Sequence, residues 1–152
     1  DALTGVKSKH AYDEISSRIN ADLANGCTEP FAVVVCDVNG LKTVNDTLGH
    51  QAGDRLIRNA SHIICETFKH SPVFRIGGDE FVAILKGQDY EHRKELVASM
   101  EQQNLKNQAN GGVTIACGDA EWISKQDQRI EDIFKRADTA MYENKTKLKG
   151  IQ

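Results

Sequence analysis

Apolar residues recur along this chain with two different periods, and the switches between the two periods mark out its elements. From Ser8 onward Ala11, Ile15, Ile19 and Leu23 follow at four-residue spacing, which lines one face of a helix. Ser8 caps that helix and Asn25-Gly26 stops it. Phe31 to Val38 is apolar except at Asp37, with Val33, Val34 and Val35 β-branched, the pattern of a central strand covered on both faces. The polar stretch from Asn39 to Asp54 holds a short helix near 41–48, ended by Gly49. Asp54 then reads as the cap of a longer helix on which Ile57, Ala60, Ile64 and Phe68 share a face.

Beyond Pro72, two short apolar runs flank Gly77-Gly78, which predicts a β-hairpin with the glycines supplying positive φ at the turn. A helix follows from Tyr90 to about Gln103, with Leu96, Val97 and Met100 inward. A strand is expected from Val113 to Cys117, and a last helix from Gln128 to about Lys147. The order is α-β-α-α-β-β-α-β-α. The hairpin must pair antiparallel and the long crossovers must lay helices on a sheet face. The solution is an α+β, ferredoxin-like or palm-type sandwich, a sheet with antiparallel strands flanked by helices.

Composition narrows the function. With 152 residues, 39% hydrophobic and 27% charged, one domain with a real core is expected. A net charge of −3 argues against a broad nucleic-acid surface and leaves room for a local phosphate site. No apolar run approaches the roughly 20 residues of a membrane helix, so no membrane contact by this domain is expected and a cytoplasmic location is. The chain begins at Asp1 rather than Met, so it is expected to be one domain of a longer protein. Cys27, Cys36, Cys65 and Cys117 form no Cys-x-x-Cys pair and are expected as free thiols, Cys36 and Cys117 being buried.

The polar residues that interrupt apolar runs carry the candidate chemistry. Asp37 is costly in a buried strand unless paired or bound to a metal. Asp79 and Glu80 open the second hairpin strand, and strand alternation sends one towards a cleft and the other towards solvent or a helix. If the first strand lies beside the hairpin, Asp37 and Asp79 converge, and two hard oxygen donors suit Mg²⁺. The alternative is that Asp37 accepts a hydrogen bond from a helix N-terminus, and that Gly-Gly-Asp-Glu is an idle acidic tip. Lys42, Arg75, Lys145 and Lys149 are cations suited to phosphate. Lys145 and Lys149 also read simply as lysines favouring a helix C-terminus. Asn45 and Asp54 together could read guanine, Asp accepting from N1–H and the exocyclic amine and Asn donating to O6. They read equally as a turn former and a cap, and His50 as a surface group.

The motifs together resemble one family. Gly77-Gly78-Asp79-Glu80-Phe81 resembles the signature of the GGDEF diguanylate cyclases, a family of bacterial second-messenger enzymes. The run from Asp37 through Asn39-Gly40-Leu41-Lys42, Asn45-Asp46 and Gly49-His50 to Gly53-Asp54 is similar to its second motif. Asp1-Ala2-Leu3-Thr4-Gly5 resembles the entry motif, and Ala137-Asp138, Ala140-Met141-Tyr142 and Lys145 the closing one. The resemblance implies condensation of two GTP into cyclic di-GMP with release of two pyrophosphates, across a transient face-to-face homodimer. It implies Mg²⁺ (or Mn²⁺) held by Asp37, Asp79 and the Val38 carbonyl, with Asp79 also the candidate proton acceptor and Glu80 in support. Lys42 then belongs with the catalytic residues, Lys145 and Lys149 with the phosphates, Asn45, Asp54 and His50 with guanine, and Arg75, Gly77 and Gly78 with the substrate. An N-terminal sensory domain is implied upstream.

Two departures are visible. Asn39 stands where many members carry Asp. The family's product-inhibition motif, Arg-x-x-Asp, is replaced by Phe68-Lys69-His70-Ser71. The rival expectation is a non-catalytic module that binds GTP or cyclic di-GMP and signals without turnover.

Overall fold

The structure is a computed structural model, and it describes residues 1–26 and 29–151. The elements run α1 (Lys9–Ala24), β1 (Ala32–Val38), α2 (Leu41–Leu48), α3 (His50–Thr67), β2 (Val73–Arg75), β3 (Glu80–Leu85), α4 (Gly87–Glu91), α5 (Arg93–Ala109), β4 (Ile115–Glu121) and α6 (Ile130–Ile151). One four-stranded sheet has the order β2-β3-β1-β4, antiparallel throughout. Without α1, α4 and α6 this is the expected ferredoxin-like sandwich.

Helices cover both faces of the sheet, which explains why β1 is apolar at almost every position. Val34, Cys36 and Val38 point into a core with Ile57, Ala60, Ile64 and Phe68 of the α3 end and with Val97 and Met100 of α5. Val33 and Val35 point the other way, against Ile19 of α1 and Ile130, Ile133, Ala137 and Met141 of α6. By the same alternation Asp37 falls on the α6 side. Next to β2, Lys7 forms an isolated parallel bridge to Phe74, so the entry segment covers part of that rim.

Four details differ from the sequence expectation. Asp54 caps nothing: α3 begins at His50 behind Gly49, and Asp54 is an exposed residue inside it. The helix expected from Tyr90 is two, α4 and α5, broken at His92, and α5 runs on to Ala109. β4 starts two residues later than expected and continues four further, through Gly118, Asp119, Ala120 and Glu121. As an edge strand with solvent beside it, it carries polar residues that disguise it. Gly118 is there for packing: a Cβ would overlap the α6 backbone at Met141 and Ala137. Finally, Gly77 and Gly78 turn the hairpin without positive φ. Cys36, Cys65 and Cys117 are free thiols, while Cys27 lies outside the described residues.

Candidate active site

Register places the acids. Asp37 at the end of β1 is the direct partner of Glu80 at the start of β3, and Val38 N–H donates to the Asp79 carbonyl at 2.8 Å. Asp37 and Asp79 are thereby brought together at this end of the sheet, and the Asp79 charge acts on the Asp37 carboxyl. Asp79 lines a pocket of about 440 Å³ together with Gly40, Lys42, Thr43, Thr114, Lys145 and Lys149. Glu80 is absent from that lining, and the charges of Asp138 of α6, Asp37 and Asp79 all act on it.

The electrostatics of this cluster are unrelieved. Burial first, and then the Asp79 charge, push the Asp37 carboxyl above its usual value, against the partial relief of Lys145. Lys145 Nζ donates to Asp37 Oδ2 at 3.1 Å, while Asp37 Oδ1 is buried with no hydrogen-bond partner. Glu80 is also raised, by burial, then Asp138, Asp37 and Asp79. The Lys145 ammonium is raised despite its burial, because Asp37 and Asp79 hold its proton. A partnerless buried carboxylate oxygen beside a second carboxylate fits a hard divalent cation. Among the described residues no group of three or more His, Cys, Asp or Glu side chains is arranged to hold a metal ion.

The lysines that line the pocket come from different elements. Lys42 is in the first turn of α2, where unpaired helix N–H groups also favour an anion. Lys145 and Lys149 come from one face of α6. Asn45 lies one turn past Lys42, half-buried, and it fits because position 53 has no side chain. A Cβ at Gly53 would overlap Asn45 Oδ1. Asn45 thereby comes to rest against α3 at Gly53, and both bland readings lapse: Asn45 lies within α2 and Asp54 within α3, neither a turn former nor a cap. His50 is exposed at the start of α3 and lines none of the pocket described here.

Arg75 differs most from expectation. Its Nε and NH2 donate to the Gly77 and Gly78 carbonyls at 3.2 and 2.7 Å, and NH1 to Asp1 Oδ2 at 3.0 Å. It clamps the glycine loop to the chain entry and is no part of the lysine pocket. The glycines themselves are exposed. A Cβ at Gly78 would meet nothing within 4 Å and one at Gly77 only Glu80, so no contact within the chain demands a glycine there. Asn39 donates from Nδ2 to Thr114 Oγ1 at 3.0 Å, pinning the β1–α2 turn to the residues just before β4. Thr114 was passed over in the sequence, because a hydrogen bond from a residue 75 positions away leaves no local signature. Gly53 and Asp138 were noted only as motif positions, and neither the packing of Gly53 nor the charge of Asp138 was foreseen.

The family model described as diguanylate cyclase, GGDEF domain, matches residues 1–150, and the chain belongs to that family. It is 30% identical over 149 residues to diguanylate cyclase DgcS of Shewanella oneidensis, covering 95% of this chain and 49% of that protein. It is 31% identical over 150 residues to diguanylate cyclase DosC of Escherichia coli, covering 93% and 32%. The chain thus spans half or less of these curated relatives. Among solved structures, the coiled coil and GGDEF domain of DgcB from Caulobacter crescentus, in complex with c-di-GMP, superposes with a TM-score of 0.76 at 25% identity, over 96% of this chain and 80% of that one. The GGDEF domain of FimX from Pseudomonas aeruginosa shares the fold, with a TM-score of 0.78 at 18% identity, over 97% and 93%.

Proposed function

We propose that this domain condenses two GTP molecules into cyclic di-GMP and two pyrophosphates, each of two face-to-face protomers presenting one GTP. The observation that carries this is the pairing of the β1 end that bears Asp37 with the strand end that bears Asp79, where Asp79 lines one pocket together with Lys42, Lys145 and Lys149. Asp37, Asp79 and the Val38 carbonyl would hold a divalent cation, Mg²⁺ or Mn²⁺, which when bound polarises a phosphoryl oxygen and lowers the pKa of a hydroxyl. Lys42 and the α2 N-terminus offset the charge of the terminal phosphates, and Lys149 closes the rim. Lys145 both orients Asp37 and faces the phosphate charge that grows as pyrophosphate departs. Asp79 would accept the proton of the attacking 3′-hydroxyl, with Glu80 in support through its charge. Asn45 and Asp54 offer a donor and an acceptor pair matched to the guanine edge and mismatched to adenine. Arg75 acts at one remove, holding the Gly77 and Gly78 carbonyls so that Asp79 keeps its place.

The family assignment also suggests a sensory segment upstream of Asp1. Incubation with GTP and Mg²⁺ followed by mass spectrometry tests the proposal. Cyclic di-GMP is expected, and GTP binding without product, in conditions that favour dimers, would overturn it in favour of a non-catalytic module.

A further inference from the structure

Cys36 and Cys117 take no part in the chemistry above, yet they face each other directly across β1 and β4. Their Sγ atoms are 3.2 Å apart, both thiols are free, and neither residue is more than 3% exposed. The bonds from Asn39 N–H to the Thr114 carbonyl and from Trp122 N–H to the Phe31 carbonyl fix the phase of this ladder. Hydrogen-bonded pairs fall on the odd-numbered β1 residues, so Cys36–Cys117 is a non-hydrogen-bonded pair. Such pairs bring Cα atoms to about 4.5 Å with side chains close, and a disulfide spans Cα separations of about 4.4–6.8 Å. The sulfurs can therefore reach bonding distance by side-chain rotation, with the ladder intact.

We propose that Cys36 and Cys117 form an oxidisable dithiol, which hydrogen peroxide converts to a cross-strand disulfide that restrains the strand end bearing Asp37. One thiolate attacks a peroxide oxygen. The O–O bond breaks, water leaves, and that sulfur becomes a sulfenic acid. The second sulfur attacks it, the S–S bond forms, and the S–O bond breaks with release of a second water. The dithiol loses two electrons and two protons, and the peroxide takes them up. The Cys36 thiol beside it and then burial push the Cys117 thiol well up, so attack on peroxide requires β4 to open. β4 is an edge strand, where opening breaks one ladder only.

The crosslink is tied to the active site from both sides. Cys36 immediately precedes Asp37. Cys117 N–H donates to Asn144 Oδ1 at 2.9 Å, one residue before Lys145, which holds Asp37. Shifts approaching 1 Å in a catalytic constellation are costly to rate.

The test treats the reduced chain with hydrogen peroxide, denatures it in excess alkylating agent and maps it by non-reducing mass spectrometry. The expected product is a peptide pair joined through Cys36 and Cys117, two hydrogens lighter than the reduced pair and restored by dithiothreitol. The initial rate on GTP should fall at least about threefold and recover on reduction, and the Cys117→Ala variant should be insensitive to peroxide. Both cysteines remaining alkylated, or linkage instead through Cys27 or Cys65, overturns the proposal. Linkage with no change in rate overturns its coupling to Asp37. The crosslink is scored by mass on the unsubstituted chain, so it is decided whether or not the variant folds and whether or not the domain makes cyclic di-GMP.

Discussion

Two acids near the sheet, each paired with a cation from α6, come to opposite ends. Asp127, in the turn before α6, is 1% exposed, and its two oxygens take NH1 and NH2 of Arg136 at 2.6 and 2.8 Å. Ile123 N–H adds a third bond at 2.8 Å. The Arg136 guanidinium, helped by that N–H and against the cost of burial, holds the Asp127 carboxyl below its usual value. Arg136 also reaches the Glu121 carbonyl at 2.7 Å, binding the end of β4 to the same turn. Asp37 has one bond, to Lys145, an oxygen with no partner, and a carboxyl pushed up by burial and Asp79. An ion pair alone does not distinguish them. The number of satisfied lone pairs does: a saturated carboxylate consolidates the fold, and an unsaturated one is left with coordination to offer.

The contrast breaks most sharply in turnover. Asp37→Asn or Asp79→Asn should lower cyclic di-GMP formation about a thousandfold or more, measured by chromatography of the products. Asp127→Asn should leave kcat/KM per folded molecule within about twofold. Comparable losses for Asp127 and Asp37 would erase the distinction.

Stability should invert the order. Asp127→Asn is expected to cost about 2–3 kcal/mol in urea unfolding, since it strands Arg136 and weakens three hydrogen bonds. Asp37→Asn should unfold no more easily than the parent in metal-free buffer. Added Mg²⁺ should stabilise the parent and not that variant.

The dependence on pH sharpens this further. Asp127 has a lowered folded pKa, so its contribution is present above the unfolded value and is lost as pH falls through the folded one. Asp37 has a raised folded pKa, so its contribution is present below the unfolded value and is lost as pH rises through the folded one. Unfolding series from about pH 3 to about pH 6 should show the Asp127→Asn deficit shrinking towards acid and the Asp37→Asn advantage growing away from it.

A smaller effect is expected at Arg75. Arg75→Ala should lower kcat about tenfold with KM for GTP changed less than about threefold, since it holds the loop and not the substrate. A rise in KM alone would return Arg75 to phosphate binding. The smallest expected effect is none. Phe68 is fully buried, and Ser71 donates to Asp89 at 2.6 Å, so calorimetry and crystallography should find no cyclic di-GMP at residues 68–71.

The fold was legible wherever one face of an element meets the core. The apolar run of β1, the hairpin and the face of α3 all follow from period and polarity. Legibility failed where a position answers to a partner distant in sequence. β4 reads as loop after Cys117 because Gly118 exists to admit α6 and its neighbours face solvent. Asp54 imitates a cap because α3 has already begun at His50, behind Gly49. Within the site, the convergence of Asp37 and Asp79 followed from strand placement. The commitment of Arg75 did not, because carbonyls of a turn and the first residue of the chain leave no pattern in a one-dimensional string.

The rims of the sheet bear on how copies of this domain can meet. Lys7 occupies part of the outer side of β2, and the outer strand β4 ends in Gly118-Asp119-Ala120-Glu121, with Asp119 and Glu121 paired to Lys94 and Arg93. Neither border offers a long, flat, uncharged template, so strand-on-strand growth into filaments is discouraged at both ends of the sheet.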